Sequence, residues 1–284
     1  MKCYLCGNST FTIRTGTVRD NPAVKVIECN ACSLVTLDST THIAERHYEE
    51  GGMHSEGASL ISWIQETEID DQRRLEFLKE KIIGKNILDF GCGNGGFLNK
   101  TKPFTAKSEG IELEERVQKH FRQIDLSVWA SLANAVENKN GNYDLITAFH
   151  VFEHLSDPLG MLIELSKLLA EKGEIIIEVP SSEDALLTLY QSTEFSNFTY
   201  WSQHLFLFNS RTMEDLIRKS GLKLNWVKQV QRYSLSNHLY WLSKGKPGGH
   251  KLWTFLNDEQ LDKAYGQHLA AVGKCDTIMA SISL

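Results

Sequence analysis

The stretch NILDFGCGNGGFLNK, residues 86–100, decides the fold. A short apolar run (Ile87, Leu88, Phe90) ends in the turn Gly91-Cys92-Gly93-Asn94-Gly95-Gly96. A helical segment follows and Pro103 stops it, so the order is strand, loop, helix. In an open α/β sheet this is the turn beyond the carboxyl end of a strand, where ligands bind. Glycine serves there because a side chain would block a ligand's approach to the backbone, and because a tight turn can demand positive φ. The glycines Gly91, Gly93 and Gly96 also spell G-x-G-x-x-G, so the turn by itself does not choose a cofactor.

Outward from this turn, strands and helices alternate. GIELE (110–114) reads as a second strand with a helix near 114–123, SVWA (127–130) as a third and YDLITAF (143–149) as a fourth. Asp157 and Pro158 suit the N-cap and first position of a helix through PLGMLIELSKLLAEKG that Gly173 closes. EIIIEVP (174–180) is a fifth strand, apolar enough for burial on both faces. Helices near 182–191 and 211–220 follow, the latter capped by Ser210 and stopped by Gly221. LKLNWVKQV (222–230) and CDTIMASI (275–282) complete seven strands. The alternation predicts an α/β fold over residues 85–284, a doubly wound, mostly parallel seven-stranded sheet with an insertion at about 232–274. Residues 39–84 precede it as a linker and an amphipathic helix from Leu60 to Ile83. The aperiodic part of that linker, HYEEGGMHSEG (47–57), is a candidate cover for the active site.

Four of the six cysteines lie in the first 32 residues as Cys3-x-x-Cys6 and Cys29-x-x-Cys32. The segment between them is rich in alternating β-branched residues, which suggests a hairpin between two knuckles. Residues 1–38 therefore read as a small zinc ribbon, with four thiolates as the tetrahedral ligand set for structural Zn²⁺. A redox pair would need a βαβ unit beside it, and neither pair has one. Cys92 and Cys275 are isolated and read as small buried residues. The N-terminal residues lack the apolar core of a secretory signal and no stretch has the length of a membrane span. A cytoplasmic protein without a membrane partner is expected. The net charge of -6, and the few basic residues of the ribbon (Lys2, Arg14, Arg19, Lys25), argue against nucleic acid as a partner.

Three features join the glycine turn: Asp89 directly before it, Glu112 at the end of the second strand, and HVFEHLSDP (150–158) after the fourth. With them the chain resembles the class I S-adenosylmethionine-dependent methyltransferases, a Rossmann-like fold. The likeness is strongest to the subgroup that carries a zinc ribbon and methylates sugars. The resemblance implies S-adenosylmethionine as cofactor. It places its methionyl part against Asp89, Gly91, Cys92 and Gly93, with His150 touching the same end. Glu112, with Leu113 beside it, would accept hydrogen bonds from the ribose hydroxyls, and Ser131 and Leu132 would flank the adenine. The family often has an acidic residue near that last position, and ASLA (130–133) offers none.

The chemistry such a fold must add is the handling of the acceptor's proton, for which histidine is suited near neutral pH. His154 belongs to the Glu153-His154 pair, which in many relatives is structural. His204 matches the histidine of a Glu-His pair that acts as base in the sugar C-methyltransferases, but here Gln203 stands where the glutamate would be. The missing charge lowers the basicity expected of His204 and favours a hydroxyl over a carbon nucleophile. The expected catalytic residues are thus His204, His154 and Gln203. The expected acceptor is a small molecule, a nucleotide-activated sugar or glycan precursor. C- or N-methylation of a similar sugar, and a non-catalytic protein that kept the fold, are the alternatives. Within the insertion, Tyr240, Trp241, Lys244, Lys246 and His250 are candidates for the acceptor pocket.

Overall fold

The computed structural model describes residues 1–43, 59–138 and 142–284, so the tract 47–57 lies outside the described residues. The chain begins with β1 (Phe11–Ile13), β2 (Val26–Cys29), β3 (Val35–Leu37), α1 (Leu60–Ile82), β4 (Asn86–Phe90), α2 (Gly96–Thr101) and β5 (Lys107–Ile111). It continues through α3 (Gln118–Gln123), β6 (Ser127–Trp129), α4 (Leu132–Asn138), β7 (Tyr143–Phe149), α5 (Pro158–Ser166) and β8 (Leu169–Pro180). Then come α6 (Ala185–Thr188), α7 (Thr193–Thr199), β9 (Phe206–Leu207), α8 (Ser210–Ser220) and β10 (Lys223–Val230). Three helices, α9 (Leu235–Lys244), α10 (Gly249–Leu252) and α11 (Glu259–Ala271), precede the last strand, β11 (Thr277–Ser283).

Seven strands form one mostly parallel sheet in the order β10-β11-β8-β7-β4-β5-β6. β4 runs parallel to both β5 and β7, and β5 parallel to β6. The strand order reverses at β4, whose C-terminal end carries the glycine turn, and that is the point where doubly wound sheets bind ligands. Four of the five residues of β4 are buried, as an apolar strand covered on both faces requires. The first strands form a separate sheet, β1-β2-β3-β9, antiparallel throughout.

Two compact units can be described. One comprises Met1–His42, Phe152–Pro158 and Glu178–Ala280, the other Ile43–Val151, Leu159–Ile177 and Ser281–Leu284. In the second, α1 starts at Ser59, whose side chain accepts from Ser62 N, and ends before Gly84 at φ +68°. It buries Leu75, Leu78 and Ile82. In the first, the cysteine-bearing segment is tied to residues 200–207. Thr36 Oγ1 donates to the Leu205 carbonyl at 2.8 Å, and Asp20 accepts from Ser202 N at 3.0 Å and Ser202 Oγ at 2.6 Å. Arg14 pairs with Glu28 at 2.9 Å and donates to the Ser182 carbonyl at 2.7 Å.

Several elements depart from the sequence expectations. β5 ends at Ile111, three residues earlier than GIELE suggested, because Leu113 is exposed and Gly110 is the residue that packs inside. A Cβ on Gly110 would lie 2.7 Å from Cys92 Sγ and 2.6 Å from Leu98. The helix expected to run to Gly173 stops at Ser166, and LAEKG belongs to β8. A Cβ on Gly173 would lie 2.7 Å from the Tyr143 carbonyl, so the glycine is there for a close approach and not as a helix terminator. The helix over 182–191 is reduced to the one turn of α6, capped by Asp184, and a second short helix outside those expectations, α7, follows with Ser192 as its cap. The cap of α8 is Asn209, one residue before the expected Ser210, in a capping box with Thr212. In the insertion, Trp241 packs against Phe195 and Phe198, and Tyr240 against Trp253, and both are buried, so these rings are packing and not an exposed stacking platform.

Candidate active site

The glycine turn folds as its composition demands: Gly91, Gly93 and Gly95 all have positive φ, at 71°, 56° and 78°. A Cβ on Gly91 would stand 2.5 Å from a Val151 methyl, and one on Gly93 3.1 Å from the Trp63 ring. Gly91 N and Cys92 N both donate to the Ile111 carbonyl, which fixes the turn to the end of β5. Glu112 follows at once. Its Oε2 accepts from Gly93 N at 2.8 Å and its Oε1 from Glu114 N at 2.9 Å. Each carboxylate oxygen keeps acceptor capacity after one such bond, so a vicinal diol could be held by the same group. Burial pushes the Glu112 carboxyl up, while the amides of Glu114 and Gly93 hold it down.

Asp89 points into the core, 3% exposed, and accepts from Thr147 Oγ1 at 2.7 Å. Burial pushes its carboxyl up to about 7, against the Thr147 hydroxyl and the positive charge of Arg74. Arg74 itself is buried over the Phe149 ring at 4.5 Å and pairs with Asp71 at 3.4 Å. The Cys92 thiol faces Gly110 and not the turn's concave side, so Cys92 offers a ligand only its backbone. Ser131 caps α4 by accepting from Asn134 N at 3.2 Å, with Leu132 beside it half-buried. His150, the first residue after β7, takes the left-handed conformation at φ +56°, rare for a residue with a side chain and a frequent mark of functional turns. All the residues assigned to the cofactor, from Asp89 to His150, fall in one compact unit.

The other unit holds the expected catalytic residues. Phe152, Glu153 and His154 form a single 3₁₀ turn and are all buried. His204 closes a turn through its N–H to the Trp201 carbonyl at 3.0 Å, two residues before β9. The His154 and His204 rings have centroids 5.0 Å apart, and the Trp201 ring stands edge-on to both. His154 Nδ1 lies 2.8 Å from the Gln203 carbonyl, which can only accept, so Nδ1 carries the proton. Gln203 thus acts on the site through its backbone, with its residue 5% exposed.

Residues 63–225, more than half of the 284, match the methyltransferase domain family. The chain belongs to that family. The ubiquinone biosynthesis O-methyltransferase of Nitrosococcus oceani is 26% identical over 215 residues, 62% of this chain and 85% of that protein. Among solved structures, a methyltransferase of Thermotoga maritima superposes with a TM-score of 0.52 at 19% identity, covering 78% of this chain and 93% of that one. The plantazolicin methyltransferase BamL, solved with S-adenosylhomocysteine, gives 0.53 at 15% identity over 81% and 91%. The protein is an S-adenosylmethionine-dependent methyltransferase of Rossmann-like fold.

S-adenosylmethionine supplies a methyl group already activated on a sulfonium. The methyltransferase's own residues fit it: a turn that no Cβ could share, and a carboxylate aimed back at that turn beside the end of β5. The pattern of apolar and glycine residues did not single out Trp63, Thr67 and Asp71 of α1. Yet Trp63 stands at Gly93, Thr67 Oγ1 accepts from Asn94 Nδ2 at 3.0 Å, and a Cβ on Gly96 would meet Asp71 at 2.2 Å. The signal that could have found them is the unusual load of polar groups on an otherwise core-facing stripe of α1. Among the described residues, no helix is long and apolar enough to cross a membrane.

The methyltransferase also carries the four-cysteine group. The Sγ atoms of Cys3, Cys6, Cys29 and Cys32 lie within 4.8 Å of one another, with Cys3–Cys32 at 3.6 Å and Cys6–Cys29 at 3.5 Å. Zn–S bonds of about 2.3 Å in a tetrahedron set sulfurs roughly 3.8 Å apart, so the donor set suits zinc. The two knuckles are alike. Gly7 N returns to the Cys3 carbonyl and Ser33 N to the Cys29 carbonyl, both at 2.9 Å, with Gly7 and Ser33 at positive φ. Asn8 Nδ2 lies 3.6 Å from Cys29 Sγ, an outer donor that would temper a thiolate's charge.

Proposed function

We propose that this methyltransferase transfers the methyl group to a hydroxyl oxygen, and that the hydroxyl belongs to a nucleotide-activated sugar or related glycan precursor. The observation that carries the oxygen is Gln203. With an amide where the resemblance has the carboxylate of a Glu-His pair, residue 203 lends His204 no charge; the carboxylate near it is Glu153, which His154 shares. Abstracting a proton from carbon needs that help, whereas a hydroxyl needs only a group to take its proton as the new bond forms. The relative named for O-methylation supports the same reading. The sugar rests on the likeness to the zinc-ribbon subgroup alone. A ring hydroxyl is the second reading, favoured by the name of the ubiquinone relative.

In this reading His204, with His154 behind it, deals with the acceptor's proton. Gly91, Gly93 and the Cys92 backbone hold the methionyl part with Asp89 beneath them and His150 at the same end. Glu112 holds the ribose, and Leu113, Ser131 and Leu132 border the adenine. Zinc on Cys3, Cys6, Cys29 and Cys32 staples the ribbon. A screen with isotopically labelled cofactor tests the assignment, offering nucleotide sugars and phenols in parallel and locating the label on the product. Label on a sugar oxygen is the expected result. Label on carbon or nitrogen would overturn the hydroxyl, and label on a phenol only would replace the sugar.

A further inference from the structure

We infer that Glu153, His154 and His204 form a binding site for one divalent first-row transition-metal ion, separate from the four cysteines. One ligand atom of each, a carboxylate oxygen and two ring nitrogens, lies within 4.8 Å of the others, with Glu153 and His154 buried and His204 partly exposed. His154 Nε2 is 3.9 Å from Glu153 Oε1. First-row ions sit about 2.0–2.2 Å from imidazole nitrogen and carboxylate oxygen, so ligand atoms around one ion are roughly 3–3.4 Å apart. Closing the group by up to roughly 1.5 Å, within the swing of a histidine ring, gives that arrangement.

Three independent features point the same way. The Gln203 carbonyl takes the His154 Nδ1 proton, which leaves the lone pair on Nε2, the nitrogen nearest Glu153. Metal-binding histidines are oriented by this kind of bond. Trp201 stands edge-on to both imidazoles, with ring centroids 5.9 Å from His154 and 5.4 Å from His204, which limits their rotamers before any ion arrives. A small cleft lined by Thr36, Leu37, Tyr200, Trp201, His204 and Leu207 reaches His204, with room for about one water-sized ligand. Two imidazoles and one carboxylate with open positions suit Mn²⁺, Fe²⁺, Co²⁺, Ni²⁺ or Zn²⁺ better than Mg²⁺ or Ca²⁺, which prefer oxygen. The consequence for catalysis rests on the hydroxyl reading: with an ion there, His204 would act on the acceptor through the metal and not as a free base, the bound hydroxyl would become more acidic, and its proton would pass to solvent. The binding itself does not depend on that reading.

The test is a Co²⁺ titration of the full chain after its cysteines have been loaded with zinc, followed by visible absorption, with no acceptor present. About one further equivalent should bind, with the weak bands of nitrogen- and oxygen-ligated cobalt and none of the intense thiolate charge transfer. Glu153→Gln and His204→Gln, the second on a partly exposed ring and so mild for folding, should each weaken it more than roughly tenfold. No further equivalent, thiolate bands, or variants that bind as the parent does would each overturn the site. Any of these leaves the methyl-acceptor assignment standing, and a failed acceptor screen leaves a positive titration standing.

Discussion

In the proposed assignment Glu112 matters most at the cofactor end, because its carboxylate orders the glycine loop through Gly93 N and keeps acceptor capacity for a diol. Glu112→Ala should weaken S-adenosylmethionine binding, since each charge-assisted hydrogen bond lost is worth about 1.5–3 kcal/mol before water compensates. Calorimetric titration reads it directly, and an unchanged dissociation constant would remove Glu112 from the cofactor. For His204→Ala the expectation is opposite in kind: kcat falls by roughly 10²–10⁴ while cofactor affinity holds. A variant as active as the parent would shift the role elsewhere. A third residue matters for stability alone. Burial, with the nearby charge of Asp276, pushes the Asp184 carboxyl up to about 8, and Asp184 caps α6 through Leu186 N at 2.7 Å. The folded state therefore binds a proton that the unfolded chain has released above about pH 4, so this group's contribution is full below pH 4 and is lost as pH rises through 8. Asp184→Asn keeps the capping acceptor and abolishes the titration. Its stability relative to the parent should climb from about pH 4 to about 8 in urea unfolding, and parallel profiles would contradict the assignment. The opposite slope from His238, pushed down to about 4 by burial, is common to both proteins and cancels.

Among the elements, α8 gives the cleanest measure of a local rule. Asn209 Oδ1 accepts from Thr212 N at 2.9 Å and Thr212 Oγ1 from Asn209 N at 2.8 Å, while Met213, Leu216 and Ile217 are buried. Asn209→Ala should cost about 1 kcal/mol, within a range of roughly 0.5–2. A change below the error of chemical denaturation would mean that packing alone holds the helix. The same element shows what was legible: its period and its Gly221 stop could be read, but the cap was read one residue late, because Ser210 and Asn209 are both good caps. β8 was harder. LLAEKG has helical composition, and its place as a strand comes from pairing beside β7, with the Tyr143 carbonyl close over Gly173, contacts that arise between distant residues. The residues proposed for the cofactor could be picked out because most of them hang on one turn and the end of the next strand. The thiol direction of Cys92 was not, since it depends on the missing Cβ of Gly110, and neither was the part played by Gln203, which works through a backbone carbonyl that no side-chain pattern announces.

Across the whole chain, the spaced knuckles and the β1–β2 hairpin between them were legible, and the two further strands of that sheet were not. β3 and β9 are three and two residues long and far apart in sequence, too short for any period to show. Their pairing means that loss of zinc should be felt beyond the cysteines. The purified protein should contain about one equivalent of zinc at the ribbon, and Cys32→Ser or a strong chelator should raise amide exchange at 26–37 and at 200–207 together. Less than half an equivalent with the ribbon still folded would sink the assignment, and exchange confined to 1–37 would uncouple it from the histidine-bearing segment.

Thr36 meets Leu205 across 169 residues of sequence. During synthesis β1, β2 and β3 therefore emerge long before their sheet can be finished, because its fourth strand has yet to be translated. At about 5–20 residues per second, the nascent ribbon waits roughly ten to thirty seconds with the β3 edge unpaired. An open strand edge is a template for the wrong neighbour, so this interval is where a crowded polysome or a stalled message is most hazardous to the chain.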